Sequence, residues 1–160
     1  MSDAPAPLGV IPQPLTSALD RVVSEDLALL GLGIPRCPAT QLLPASLSAV
    51  AAARPGLPIA LGILATPDDW AARQTLLWPR GIRVSRSVVP VLFVLRNGTA
   101  VATRHGGASA AVIDRWLAQT ADLAPSTLPD AWADEERHEL DLIAARRMQH
   151  AAVKGRRAAD

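Results

Sequence analysis

The stretch Leu27-Ala28-Leu29-Leu30-Gly31-Leu32-Gly33-Ile34-Pro35-Arg36-Cys37-Pro38-Ala39-Thr40 decides how the rest of the chain is read. Leu27 to Leu32 is a continuous apolar run, too short for a core helix and bounded by glycine, so it predicts a buried strand. From Gln41 to Arg54 the apolar residues Leu42, Leu43, Leu47 and Val50 recur at helical spacing. Cys37 therefore falls where a strand gives way to a helix. Pro44, inside that helix, removes one internal hydrogen bond and bends the axis.

Downstream, Pro55-Gly56 leads into a second apolar run, Leu57 to Ala65, and Thr66-Pro67-Asp68-Asp69 opens a third helix with Thr66 as cap and Pro67 at the first position. Strand, helix, strand in this order implies parallel pairing with a right-handed crossover. Ser87 to Leu95 is strongly β-prone, and Pro90 suits only the beginning of its strand. Asn97-Gly98 signals a hairpin whose second arm is Thr99 to Arg104. Gly106-Gly107 ends it, and Ser109 caps a helix with Val112, Ile113, Trp116 and Leu117 on its apolar stripe.

Upstream, Thr16 or Ser17 caps a short helix carrying Leu19, Val22 and Val23. Residues 1–15 read as an irregular Pro-rich N-terminus, 16–124 as the domain, and 125–160 as a helical extension. In that extension acids concentrate in 130–141 and bases in 146–157, the order that complements a helix dipole. Its sparse apolar residues suit docking on the body or a homodimer contact rather than a core of its own. The fold class is thus α/β: a central mixed sheet of four or five strands flanked by helices, plus a charged C-terminal helix.

The chain has 160 residues, 16 basic and 15 acidic side chains and a net charge of +1, so the whole-chain balance carries no footprint for nucleic acid or an anionic membrane. It contains no tyrosine, one phenylalanine and four tryptophans, so the core is expected to rest on Leu, Val, Ile and Ala and no stacking platform for bases is expected. Its apolar runs are too broken to span a bilayer, and residues 1–14 lack the basic-then-apolar order of a secretory signal, so a cytoplasmic location is expected. A single cysteine makes no internal disulfide and no closed zinc site, and His105, His138 and His150 lack ligand spacing, so no metal or cofactor is expected. Asp68 and Asp69 suit a helix cap better than paired acid–base work.

In order and spacing, residues 16 to 120 resemble the thioredoxin family. Cys37-Pro38-Ala39-Thr40 stands where that family has Cys-x-x-Cys, with Pro44 near its helix-kinking proline. Val89-Pro90 resembles the cis-proline that faces the active cysteine, and Arg96-Asn97-Gly98 with His105-Gly106-Gly107 resembles the hairpin and glycine corner that follow. The departures are specific. Thr40 replaces the second cysteine, Arg36 the tryptophan expected before the first, and the strand position of the family's buried aspartate falls near Gly31.

The resemblance implies two functions. In the first, Cys37 is a thiolate favoured by the helix N-terminus, with Arg36 adding positive charge and Thr40 donating its hydroxyl. It attacks a protein disulfide or a glutathione adduct, and an outside thiol resolves the mixed disulfide. Cys37 and Thr40 are then the catalytic candidates, and Arg36, Pro38, Val89 and Pro90 hold the substrate. In the second, the chain is similar to thioredoxin-like chaperones of hydrogenase assembly, which lack the redox pair and bind the hydrogenase small subunit. Cys37 is then a small packed side chain.

Overall fold

The computed structural model describes residues 9–124 of the chain. The elements run β1 (Pro12–Pro14), α1 (Leu15–Val22), β2 (Leu27–Gly33), α2 (Pro38–Ala53), β3 (Ile59–Ile63), α3 (Pro67–Ala71), β4 (Val91–Arg96), β5 (Thr99–His105) and α4 (Ala110–Thr120). The strands form one mixed sheet in the order β1-β3-β2-β4-β5. β1 and β2 both pair parallel with β3, whereas β4 lies antiparallel to β2 and β5 antiparallel to β4.

The alternation of side chains along β2 divides the core in two. Ala28, Leu30 and Leu32 join Leu15, Ala18, Leu19 and Val22 of α1, together with Val91, Phe93 and Leu95 of β4, in one fully apolar cluster. The other face is tight at Gly31: a Cβ there would stand 3.1 to 3.4 Å from Leu61, Leu92 and Leu47 of α2. Gly31, at the expected position of a buried aspartate, therefore sits in an apolar slot. On this side α2 contributes buried Leu43, Leu47 and Val50, and α4 contributes buried Ile113 and Leu117.

Three local expectations need correction. The stretch expected to be irregular carries the edge strand β1, since extended Pro12–Pro14 can pair with β3 while proline keeps the outer side short of donors. This strand feeds straight into α1, so the helix begins at Leu15 behind Pro14, and Thr16 and Ser17 are exposed residues within it rather than caps. Ser109 occupies the N-cap position of α4 but makes no cap bond, and its buried hydroxyl has no partner among the described residues.

Other sequence signals act as read. Thr66 caps α3 through a complete capping box, its hydroxyl accepting from Asp69 N–H at 3.2 Å while the Asp69 carboxylate accepts from Thr66 N–H at 3.0 Å. The helix it opens is short. It continues as a π turn (Arg73–Leu77) and a 3-10 turn (Trp78–Arg80) and stops at Gly81, whose φ of 73° suits glycine. Asn97 and Gly98 have φ of 51° and 79°, the left-handed pair of a tight hairpin turn. The extension expected as a helix over residues 125–160 lies outside the described residues.

Candidate functional site

β2 ends at Gly33, and α2 begins at Pro38 with Cys37 as its N-cap. Proline is well suited to the first helical position because its missing N–H has no partner to lose there. Cys37 has extended φ and ψ of −93° and 118° and is partly exposed. Its side chain closes no geometrically formed cap bond, unlike that of Thr66. The first N–H groups of α2 consequently face a polarisable sulfur instead of a tight oxygen cap.

Thr40 is the most influential of these neighbours. It is 4 % exposed, and its Oγ1 accepts from Ile34 N–H at 3.4 Å, which leaves the hydroxyl proton directed elsewhere. That hydroxyl, followed by the backbone N–H of Thr40 and more weakly that of Ala39, holds the Cys37 thiol below its ordinary value, against partial burial that pushes it up. Thr40 fits only because residue 33 is glycine, since a Cβ there would collide with the threonine Cγ2 and lie 2.7 Å from Oγ1.

Several other candidates converge on this end of the sheet. Val89-Pro90 is a cis peptide, as the resemblance implied. Leu32 pairs with Val91, so antiparallel β4 places Pro90 beside the end of β2 from which the Cys37 loop departs. Pro90 is buried, and its carbonyl accepts from Gly106 N–H at 2.8 Å. The Gly106-Gly107 corner then reaches α2, where a Cβ on Gly107 would lie 3.3 Å from the Ala39 carbonyl oxygen. Arg36 is exposed and adopts φ of 60°, uncommon for a residue with a side chain. Pro38 is exposed on the first turn. His105 is exposed at the end of β5, as a solvated side chain should be.

Sequence reasoning missed Gly33 as the residue that admits Thr40, Gly107 as a contact of α2, and an open groove of about 500 Å³ beside Arg36. The groove runs between the Ile34–Arg36 loop and the Leu64–Pro67 turn and includes Trp70 and Arg86. Glycines next to the motif were the available signal for the first two. Nothing in the local pattern around Trp70 pointed to the third. Among the described residues no group of three His, Cys, Asp or Glu side chains could hold a metal ion, and no helix is long and apolar enough to cross a membrane.

No family model matches the chain, and no curated protein sequence matches it. Solved structures do. Thioredoxin f2 of Chlamydomonas reinhardtii aligns over 72 % of this chain and 100 % of its own length, with TM-score 0.53 and 14 % identity. Desulfothioredoxin from Desulfovibrio vulgaris Hildenborough, in its reduced form, aligns over 72 % of this chain and 98 % of its own, with TM-score 0.47 and 18 % identity. Together with the sheet order described above, the first of these defines a thioredoxin-like fold: a five-stranded mixed sheet flanked by helices. This chain carries one cysteine on that fold, at the head of α2.

Proposed function

We propose that Cys37 is the nucleophile of a monothiol exchange. Its thiolate attacks a disulfide of a client protein or of a glutathione adduct, a Cys37 mixed disulfide forms, and the displaced thiolate leaves with the electron pair of the broken bond. An outside thiolate then attacks the mixed disulfide, regenerating Cys37 and carrying away the client sulfur as a new disulfide. No net oxidation occurs at Cys37 over the cycle. Thr40 supports the first step by stabilising the charged sulfur, and lacking a thiol it leaves resolution to the outside partner. Arg36, Pro38, Val89 and Pro90 border the position where a client chain lies.

The observation that carries this reading is the partly exposed sulfur at an N-cap without a formed oxygen cap, beside the buried Thr40 whose hydroxyl and N–H favour its charged form. Acidity and access are the two conditions a reactive thiol requires. Alkylation by iodoacetamide, followed against pH in folded and denaturant-unfolded protein, tests both. The folded thiol should titrate below the unfolded one, which lies at about 8.5, and Cys37→Ser should abolish exchange with a model disulfide. Coincident titrations, or full exchange by Cys37→Ser, overturn the reading. A redox-inactive scaffold for hydrogenase assembly would then be the better account, and binding of a hydrogenase small subunit its direct assay.

A further inference from the structure

From the groove beside Cys37 we infer the class of client: an extended protein segment that alternates apolar and acidic side chains next to its disulfide. This rests on the proposed exchange for its chemistry and adds a specificity to it. The groove volume, about 500 Å³, is in the range of ligand sites. Its two charged lining residues are both arginine, Arg36 and Arg86, set among apolar surface from Ile34, Leu64 and Pro67. Arg36, which lines the groove, is the sequence neighbour of the nucleophile, so a chain lying in the groove passes the loop that carries Cys37.

The second positive charge is held in place. Trp70 has the guanidinium of Arg86 5.0 Å from its ring centroid and that of Arg73 at the same distance. Arg73 is itself fixed, donating to the carbonyls of Trp70 at 2.9 Å and Val84 at 3.0 Å. The indole therefore supports Arg86 at the groove and carries a second cation within the same distance, so positive charge gathers around this ring.

Compensation from within the domain is scarce. No aspartate or glutamate stands between Asp69 and Asp114, a stretch that contains six arginines. Asp69, at the start of α3, spends its carboxylate on the N–H groups of Ala65 and Thr66, and Asp68 beside it is exposed. Among the described residues no carboxylate forms an ion pair with Arg36 or Arg86. A groove of mixed apolar and polar surface, with two guanidinium groups that no described carboxylate pairs, suits alternating apolar and acidic side chains and repels a basic segment. A free phosphate-like anion has little to gain from the apolar part of that surface.

The test compares three peptides of equal length, each carrying one cysteine as its mixed disulfide with thionitrobenzoate and flanked by Glu, Gln or Lys alternating with Ile. Cys37 attacks the peptide sulfur, thionitrobenzoate leaves as the better leaving group, and its release is read by absorbance. The acidic peptide should react about tenfold faster than the basic one at low salt, the difference shrinking as salt is added. In Arg36→Gln/Arg86→Gln the three rates should converge, and in Arg86→Glu the order should shift towards the Lys peptide, a gain that misfolding cannot produce. Equal rates in the wild-type protein, or an order that survives loss of both arginines, overturn the inference while leaving the exchange intact. The glutathione–thionitrobenzoate disulfide is the small-anion arm, and a faster rate for it than for the acidic peptide also overturns the assignment to a protein segment. Where no disulfide reacts, the exchange reading fails, and calorimetric titration with the Cys→Ser peptides decides the groove alone: tighter binding of the acidic peptide supports it, equal binding overturns it.

Discussion

The two ends of α2 are built on opposite principles. At its C-terminal end, Arg54 is the C-cap, and its Nε donates to Asp114 Oδ1 on α4 at 2.6 Å, with the two side chains only 12 % and 7 % exposed. The same guanidinium reaches the Ala124 carbonyl at 2.8 Å through Nη2, so the charge is answered within the chain on two of its nitrogens. At the N-terminal end the first N–H groups face a sulfur without a formed cap, Arg36 has a positive φ, and no described carboxylate pairs with it. One end of the helix is closed by its own neighbours. The other leaves the Arg36 cation without a carboxylate partner among the described residues and its N-cap without a side-chain bond, and this contrast separates the fastening of the helix from the use proposed for it.

If that contrast holds, the largest stability loss comes from the closed end. Asp114→Ala leaves the Arg54 cation partly buried without its partner and should cost about 3 kcal/mol, measured by urea unfolding, with the alkylation–pH curve of Cys37 unmoved. A shifted curve would mean that the two ends are coupled through the helix. Gly33→Ala acts on the open end by displacing Thr40 from its slot. Overpacking of this kind costs about 1–3 kcal/mol, and here it should also raise the thiol's titration towards the unfolded value.

Thr40→Val sharpens the comparison further, because it removes the hydroxyl while nearly conserving volume. It should raise the pH at which Cys37 alkylates, and Thr40→Ser should keep that pH low. A depressed thiol value adds stability that is fully present above the unfolded value and disappears as pH falls through the folded one. The stability gap between wild-type and Thr40→Val should therefore widen from mildly acid to mildly alkaline solution, and a gap that narrows would contradict the assigned cause. The smallest effect is also the most telling. Serine is a favoured N-cap, so Cys37→Ser should stabilise the fold by about 0.5–1 kcal/mol while abolishing exchange. A destabilised serine variant would make the sulfur a packing group after all.

The parts legible in the sequence were those that one short window encodes. Thr66-Pro67-Asp68-Asp69 reads as a cap because its donors and acceptors lie within four residues, and the capping box is present. Asn97-Gly98 reads as a hairpin because the turn selects residues that tolerate positive φ. Cys37 could be placed at a strand-to-helix junction from the apolar run before it and the helical spacing after it. What escaped depends on distant segments. Asp114 meets Arg54 across sixty positions, Gly107 meets Ala39 only after the hairpin has folded back, and Trp70, Arg86 and Arg36 share a groove although no pattern links them. β1 was hidden for another reason: its prolines argue for an irregular chain unless a parallel partner is already in place.

The register of β4 on β2 also bears on the order in which the site matures. The donors that favour the charged sulfur lie within residues 33–40, whereas Pro90 arrives through a pairing of Val91 with Leu32, about sixty positions apart, and Gly107 comes later still. Contacts of short sequence separation close first, since longer loops carry the larger entropic cost. On the ribosome, the strand-to-helix junction therefore emerges well before its antiparallel neighbour has been synthesised. A nascent chain that has reached β3 has already made every residue whose donors surround the sulfur, while Pro90 and Gly107 are still to come, so under the proposed exchange the nucleophile's own neighbourhood is synthesised before the second wall of its site.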